Sequence, residues 1–281
     1  MEIMEDRNLK TELKIGVIGL GLIGGSVLKF LYERGYDVIG VSKSSFNKAA
    51  EFCTKATSDI KDVKDCNVVF VCSKMSETLS VLKELENIVS SDCIVCDVCS
   101  LKRFVNFDND GMPYKRPYNF IGSHPMAGTE FSGFEHSYPK LFIGAKWILN
   151  EKNEILENLI KDMGAKPVIM GAKDHDMFAC LISHLPMLVS TALMKTAANE
   201  DKALKMAASG FRDTTRLSLT DYNLAYDMLS LNSDNFNILI DEFIQNLQKL
   251  KNMSKEELKD TLFKLQKIRK SMYDENGKNR L

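Results

Sequence analysis

From Leu13 to about Asp174, short apolar runs rich in β-branched residues alternate with stretches whose apolar residues recur at helical spacing. The runs "KIGVIGL" (Lys14 to Leu20), "DVIGVS", "NVVFVCS" and "DCIVCDVC" predict strands. "GSVLKFLYERGY" and the segments near "FNKAAEFC" and "SETLSVLKELENIV" predict helices, and "NFIGSHP" and "AKWILN" predict further strands. Strands alternating with helices imply a parallel sheet covered by helices on both faces. Beyond Asp174 the pattern becomes almost wholly helical. "DHDMFACLISHLPMLVSTALMKTAAN" is long and mostly apolar, so it predicts a helix buried on most sides, with Pro186 imposing a kink or a local break in its hydrogen-bond ladder. "FNILIDEFIQNLQKL" sets Phe236, Leu239, Ile240, Phe243, Ile244, Leu247 and Leu250 on one stripe, the pattern of a domain core or a subunit interface.

A length of 281 residues fits two domains. Charged residues make up 27% and the formal net charge is -1, which gives no electrostatic reason to expect nucleic acid or an anionic membrane as partner. No apolar run approaches the ~18–20 residues of a membrane span, and the start, "MEIMEDRNLKTE", is acidic and polar with no signal-peptide core. A cytoplasmic protein is therefore expected. Seven cysteines raise the question of a metal site, most sharply in "CIVCDVC". In a strand, however, Cys96 points away from Cys93 and Cys99, so the three cannot share one ion; reduced thiols and no metal are expected.

Gly19-Leu-Gly21-Leu-Ile-Gly24 follows an apolar strand and opens a helix. In that context the spacing is a dinucleotide-binding signature: Gly19 permits a tight turn, Gly21 lets backbone approach a pyrophosphate, and Gly24 lets helix and strand pack closely. Leu22 and Ile23 open the helix whose free N–H groups would face the phosphates. The fold class expected is therefore an α/β Rossmann-type N-terminal domain with a mainly parallel sheet, followed by an all-α C-terminal domain. The next strand ends in Ser42, Lys43 and Ser44 where NAD-binding folds usually place Asp or Glu. With no carboxylate to repel a 2′-phosphate, and a lysine and two hydroxyls to bind one, NADP is preferred and NAD remains possible. Cys72 and Ser73, at the end of "NVVFVCS", fall on the same side of the sheet and join the expected cofactor set.

Ser100 and His124 also follow strands and should face the cofactor. A histidine there suits proton acceptance, and equally a turn or capping role. "SGFRDTTR" carries Arg212 and Arg216 four apart around Asp213, either a fork for a substrate carboxylate or a surface pair with a capping acid. His184 sits inside the apolar helix, where a histidine either packs or contacts ligand.

"GLGLIGGS", "SHPMAGTE", "ISHLP" and "SGFRDTTR" occur in that order, and the chain resembles the prephenate/arogenate dehydrogenase family of tyrosine biosynthesis from about Leu13 to the C-terminal helices. "VIGVSK", "ISHLPMLVS" and "SGFRDTTR" look most like its cyanobacterial branch, whose members tend to use NADP and arogenate. The resemblance implies oxidative decarboxylation. His124 matches the family histidine that accepts the proton of the ring hydroxyl, and Ser100 the serine that orients it. Arg216 matches the arginine that binds a substrate carboxylate, with Asp213 a supporting acid and Glu130 at the edge of the site. Many prephenate-specific members read "SHLPH" where this chain reads "SHLPM", so Met187 replaces a histidine near the substrate side chain and the balance leans to arogenate over prephenate. The resemblance further implies a cofactor domain over residues 12–172, a helical substrate and dimerisation domain over 173–281, and a homodimer. No appended regulatory or mutase domain is expected in the remaining length. A hydroxyacid or imine reductase of the same two-domain plan is the rival enzyme; several of those use a helical-domain lysine as acid/base, and none lies between Asp176 and Leu193.

Overall fold

The computed structural model describes residues 13–108, 110–129 and 131–273; Glu130, one of the expected site positions, lies outside the described residues. The chain divides into two compact units, one ending at Ser233 and the other starting at Asp234.

The strands of the first unit are β1 (Lys14–Ile18), β2 (Asp37–Val41), β3 (Lys55–Thr57), β4 (Val68–Val71), β5 (Ile94–Asp97), β6 (Asn119–Ile121), β7 (Ser123–Pro125), β8 (Lys146–Leu149) and β9 (Lys166–Ile169). The first six form one sheet in the order β3-β2-β1-β4-β5-β6, parallel throughout. This is a doubly wound sheet whose strand order reverses between β1 and β4, and ligands bind in the crevice at such a switch point. All four residues of β4 and of β5 are buried, because both sheet faces are covered. Alternation along the strands separates two cores. Ile15, Val17, Phe70 and Cys96 pack with Leu28, Leu31 and Trp147 on one face, and Ile18, Val69, Val95 and Cys93 pack with Leu82 and Leu85 on the other. Cys99 belongs to a third cluster.

The run "NFIGSHP" is not one strand. It breaks at Gly122 into β6, which pairs with β5, and β7, which pairs antiparallel with β8 in a second sheet of order β7-β8-β9. The position of the break requires glycine: a Cβ at Gly122 would collide with Asn150 Oδ1, and Asn106 Nδ2 donates to that oxygen at 2.7 Å across the same spot. His124 therefore sits on a separate strand just past the parallel sheet, rather than at the end of one of its own strands. Strands β3 and β9 are short segments that hydrophobic patterning did not disclose.

The helix predicted beyond Asp174 runs from Ala172 to Ala197. It is α-helical over Ala172–Ala179 and Leu185–Ala197, with a π-helical turn at Cys180–His184 between them. Pro186 has no N–H to give and its ring crowds the preceding turn, so the ladder widens there, as the sequence led us to expect. Two expectations are corrected. An 18-residue window of this helix has a mean hydropathy of 1.7, enough by length and composition to cross a membrane; His184 and Pro186 interrupt the run without lowering its average below that level. The helix is also not buried on most sides: 33% of that window is buried, and Phe178, Leu181 and Ile182 are exposed.

The second unit holds most of helix Ser233–Asn252 and all of Lys255–Met272. Ser254 accepts from Glu257 N while Glu257 accepts from Ser254 N, a capping box that starts the later helix. Along the stripe Leu239 is buried, whereas Ile244 and Leu247 are exposed, as are Leu262, Phe263 and Leu265 on the following helix.

Candidate active site

The glycine-rich turn leaves β1 beside β4. Gly19 N donates to Val41 O at 2.9 Å and Cys72 N to Ile18 O at 2.6 Å, pinning the turn to the strands on either side. Gly19 has φ +90, and a Cβ there would come within 2.6 Å of the Cys72 carbonyl and Ser73 N. A Cβ on Gly24 would collide with the Gly19 carbonyl oxygen, so helix Leu22–Glu33 meets the turn at contact distance. Gly21 differs: nothing lies within 4 Å of where its Cβ would be. Its backbone is bare towards open space, and the helix that begins there has neither a side-chain cap nor an acidic residue in its first turn. Such an uncovered N-terminus, approached over a glycine, fits a pyrophosphate. Gly25, which sequence inspection passed over, is constrained too, since a Cβ there would come within 2.5 Å of Ser137 Oγ. After β2, Ser42 Oγ accepts from Ser45 N at 3.0 Å and holds the loop, while Lys43 and Ser44 are exposed. After β4, the Ser73 hydroxyl bonds Thr78 Oγ1 at 3.1 Å, and burial pushes the thiol of Cys72, a residue only partly exposed, up.

A cavity of about 270 Å³ opens nearby, lined by Ser100, His124, Pro125, Met126, Ala127, Gly128, Ala179, Ser183 and His184. Three of the sequence-derived candidates, Ser100, His124 and His184, thus line one space. His124 Nδ1 bonds His175 Nε2 at 2.9 Å, and His175 Nδ1 bonds Asp176 Oδ1 at 2.8 Å. Asp176 in turn accepts from Lys102 N at 2.7 Å and Arg103 N at 2.9 Å, and its own carbonyl accepts from Asn232 Nδ2 at 2.9 Å. His175, Asp176 and Lys102 escaped the sequence reading. The "DHD" run in the first turns of the long helix was the one available signal.

The strand carrying His124 is anchored from beneath. Lys102 is fully buried, and its ammonium donates to Asp97 Oδ2 and, at 2.6 Å, to Ser123 O. Asp97 also accepts from Ser123 N at 3.0 Å and Cys99 N at 2.9 Å, and Trp147 Nε1 donates to Ser123 Oγ at 3.1 Å. Desolvation, then His175, Lys102 and His184, hold the His124 imidazole well below its ordinary pKa, so it is neutral at physiological pH. Burial pushes His184 down to about 4, and its Nδ1 has no hydrogen-bond partner. A buried polar atom without a partner is costly, and here it belongs to a residue of the cavity wall.

Other expected residues are not in this space. Arg216 and Asp213 are exposed and do not line the cavity, and Asp213 pairs with Arg212 at 2.8 Å. Met187 is buried against Met75, Cys99, Leu101 and Met228 rather than on the cavity wall. Among the described residues no group of His, Cys, Asp and Glu could hold a metal.

A parallel sheet with a bare glycine turn at its switch point, together with a cavity walled by His124 and His184, fits a dehydrogenase built for a nicotinamide dinucleotide. Residues 28–169 match the family model described as prephenate dehydrogenase, nucleotide-binding domain, and residues 171–268 match prephenate dehydrogenase, dimerization domain. The chain belongs to the prephenate dehydrogenase family of NAD(P)-dependent oxidoreductases. It is 30% identical to the prephenate dehydrogenase of Bacillus subtilis, over 91% of this chain and 74% of that one. The crystal structure of Synechocystis arogenate dehydrogenase shares 30% identity and a TM-score of 0.79, over 92% of this chain and 99% of that one. Prephenate dehydrogenase from A. aeolicus, in complex with hydroxyphenyl propionate and NAD+, shares 28% identity and a TM-score of 0.83, over 92% and 98%.

Proposed function

We propose that the protein is an arogenate dehydrogenase that uses NADP. The observation that carries the reading is His124, neutral and hydrogen-bonded at Nδ1, on the wall of a cavity shared with Ser100 and His184. The substrate ring bears a hydroxyl and a hydrogen on C4 and a carboxylate on C1. When bound, the cofactor supplies the hydride acceptor. His124 Nε2 takes the hydroxyl proton as the C4–H bond breaks with its electron pair, and it returns that proton to oxygen as the ring becomes aromatic. The C1–carboxylate bond breaks with its pair entering the ring, so carbon dioxide leaves and no proton is released overall. A base that holds its proton only transiently needs no high pKa, because loss of hydride makes the hydroxyl strongly acidic. Aromatisation drives the step, so the chain's contribution is alignment.

Ser100 would contact the same hydroxyl. The unpartnered Nδ1 of His184 suits a polar substrate group, offered to it as a neutral hydrogen-bonding partner and not as a charge. Arg216, exposed on a long side chain, would close on a substrate carboxylate, supported by Asp213, with Glu130 at the rim. The cofactor would lie along Gly19, Gly21, Leu22, Ile23, Gly24, Cys72 and Ser73. The absence of a carboxylate after β2, together with exposed Lys43 and Ser44, favours NADP. The division of labour we infer is cofactor binding by residues 12–172 and substrate binding and homodimer formation by 173–281; the exposed apolar residues of the C-terminal helices support the latter. Two relatives named prephenate dehydrogenases favour the second reading, prephenate with NAD or NADP. Met187 bears on that choice only through its packing, since it lies off the cavity wall.

The test is a steady-state comparison of arogenate and prephenate, each with NADP and NAD. The largest kcat/KM is expected for arogenate with NADP. A preference for prephenate or for NAD overturns that half of the reading, and no turnover of either substrate overturns the whole.

A further inference from the structure

We propose that His175, carried by Asp176, is the positioning residue that fixes which nitrogen of His124 can act as base. The inference builds on the assignment of His124 above, but its central observable does not require the substrate to be known. Two main-chain N–H groups, those of Lys102 and Arg103, donate to the two oxygens of Asp176, so both act as acceptors. His175 Nδ1, 2.8 Å from Oδ1, must then be the donor. A neutral imidazole that donates from Nδ1 accepts at Nε2, and the atom 2.9 Å from His175 Nε2 is His124 Nδ1. His124 therefore carries its hydrogen on Nδ1, and its Nε2 is left with a free lone pair. That is the protonation state a base needs, and one nitrogen alone is left to reach the cavity contents.

The geometry also gives the transient proton a place to spread. When Nε2 takes the substrate proton, His124 becomes an imidazolium whose Nδ1–H points at His175 Nε2. His175 is nearly buried, and its far nitrogen is already tied to a carboxylate. The added charge is thus shared along a chain of three side chains and returned when the phenol forms, with no bond left changed. No other hydrogen bond to the His124 ring is present among the described residues. Ser100 lines the same cavity, so it is placed to meet the substrate while His175 orients the base. Asp176 is itself fixed at both ends, its carboxylate by the start of helix Arg103–Asn106 and its carbonyl by Asn232.

The experiment reads the tautomer directly. The chain has four histidines, so 15N-histidine labelling with single-site variants assigns the His124 ring signals. In the unmodified protein with no substrate, His124 is expected to show a protonated Nδ1 and a pyridine-type Nε2. In His175→Leu, which fills the space but accepts no hydrogen bond, the Nε2-protonated form should appear. In that variant kcat should fall about 10²-fold, with KM changed by less than about threefold, because the base is present but largely in the wrong tautomer. His175→Gln offers an amide oxygen to His124 and should recover kcat to within about tenfold of the unmodified enzyme. An Nε2-protonated His124 in the unmodified protein overturns the proposal, whether or not any variant folds. So does a His175→Leu enzyme with unchanged kcat and an unchanged His124 spectrum. If neither arogenate nor prephenate is turned over, the spectrum still decides this point, so failure of the substrate assignment and failure of the relay are told apart.

Discussion

Replacing Lys102 by Met keeps the length of the side chain and removes its charge. Lys102 and Asp97 are both fully buried, and the ammonium also bonds the Ser123 carbonyl, one residue before His124. Removing one partner of a buried ion pair leaves the other charge uncompensated and costs about 3–5 kcal/mol. Asp97 would keep two main-chain donors, Ser123 N and Cys99 N, which holds the loss below the top of that range. The Ser123 carbonyl would lose its lysine donor, which adds about 1 kcal/mol, so a loss of about 4 kcal/mol is expected. Urea unfolding followed by tryptophan fluorescence measures it well, because the chain has one tryptophan, Trp147, which is buried and bonded to Ser123 Oγ. Pairing Lys102→Met with Asp97→Leu removes both charges but leaves the Ser123 and Cys99 N–H groups unpaired, so it should restore only part of the loss. A single variant that loses less than about 1 kcal/mol would show that the pair does not hold β7 in place.

Gly24→Ala drives a methyl group into the Gly19 carbonyl, so dinucleotide affinity should fall by at least about tenfold in a titration, and retained affinity would refute the packing argument for that glycine. His184 has a folded pKa of about 4, so the unfolded chain binds its proton more tightly. The stability this gives is fully present above about pH 6.5 and lost as pH falls towards 4, by about 3 kcal/mol in all. His184→Gln should flatten that part of the stability profile, and an unchanged slope would mean that His184 titrates normally. Arg216→Ala should raise KM about tenfold or more with kcat changed by less than about threefold, and an unaltered KM would remove Arg216 from the substrate site.

The parallel sheet was legible because every strand of four or five residues in it is apolar but for at most one charged residue at its end. The glycine turn was legible because three constraints, a positive φ, a close contact and a bare approach, each require glycine at a fixed spacing. The second sheet was not, since β7 is the three residues Ser-His-Pro, and a single glycine separates it from β6 in the sequence. The histidine pair was hidden for a different reason. His124 and His175 lie 51 positions apart, and Asp176 is held by amides more than 70 positions away, so no local pattern links them. Nothing in the sequence singled out Lys102, because its partner and its burial are properties of the assembled core.

His124 as the base is the claim on which the rest depends. Single-turnover mixing of His124→Gln with saturating NADP and arogenate, followed by the absorbance of reduced nicotinamide, tests it most directly. The expected result is cofactor affinity like that of the unmodified enzyme and a reduction rate lower by at least about 10²-fold. Reduction at the unmodified rate would contradict it.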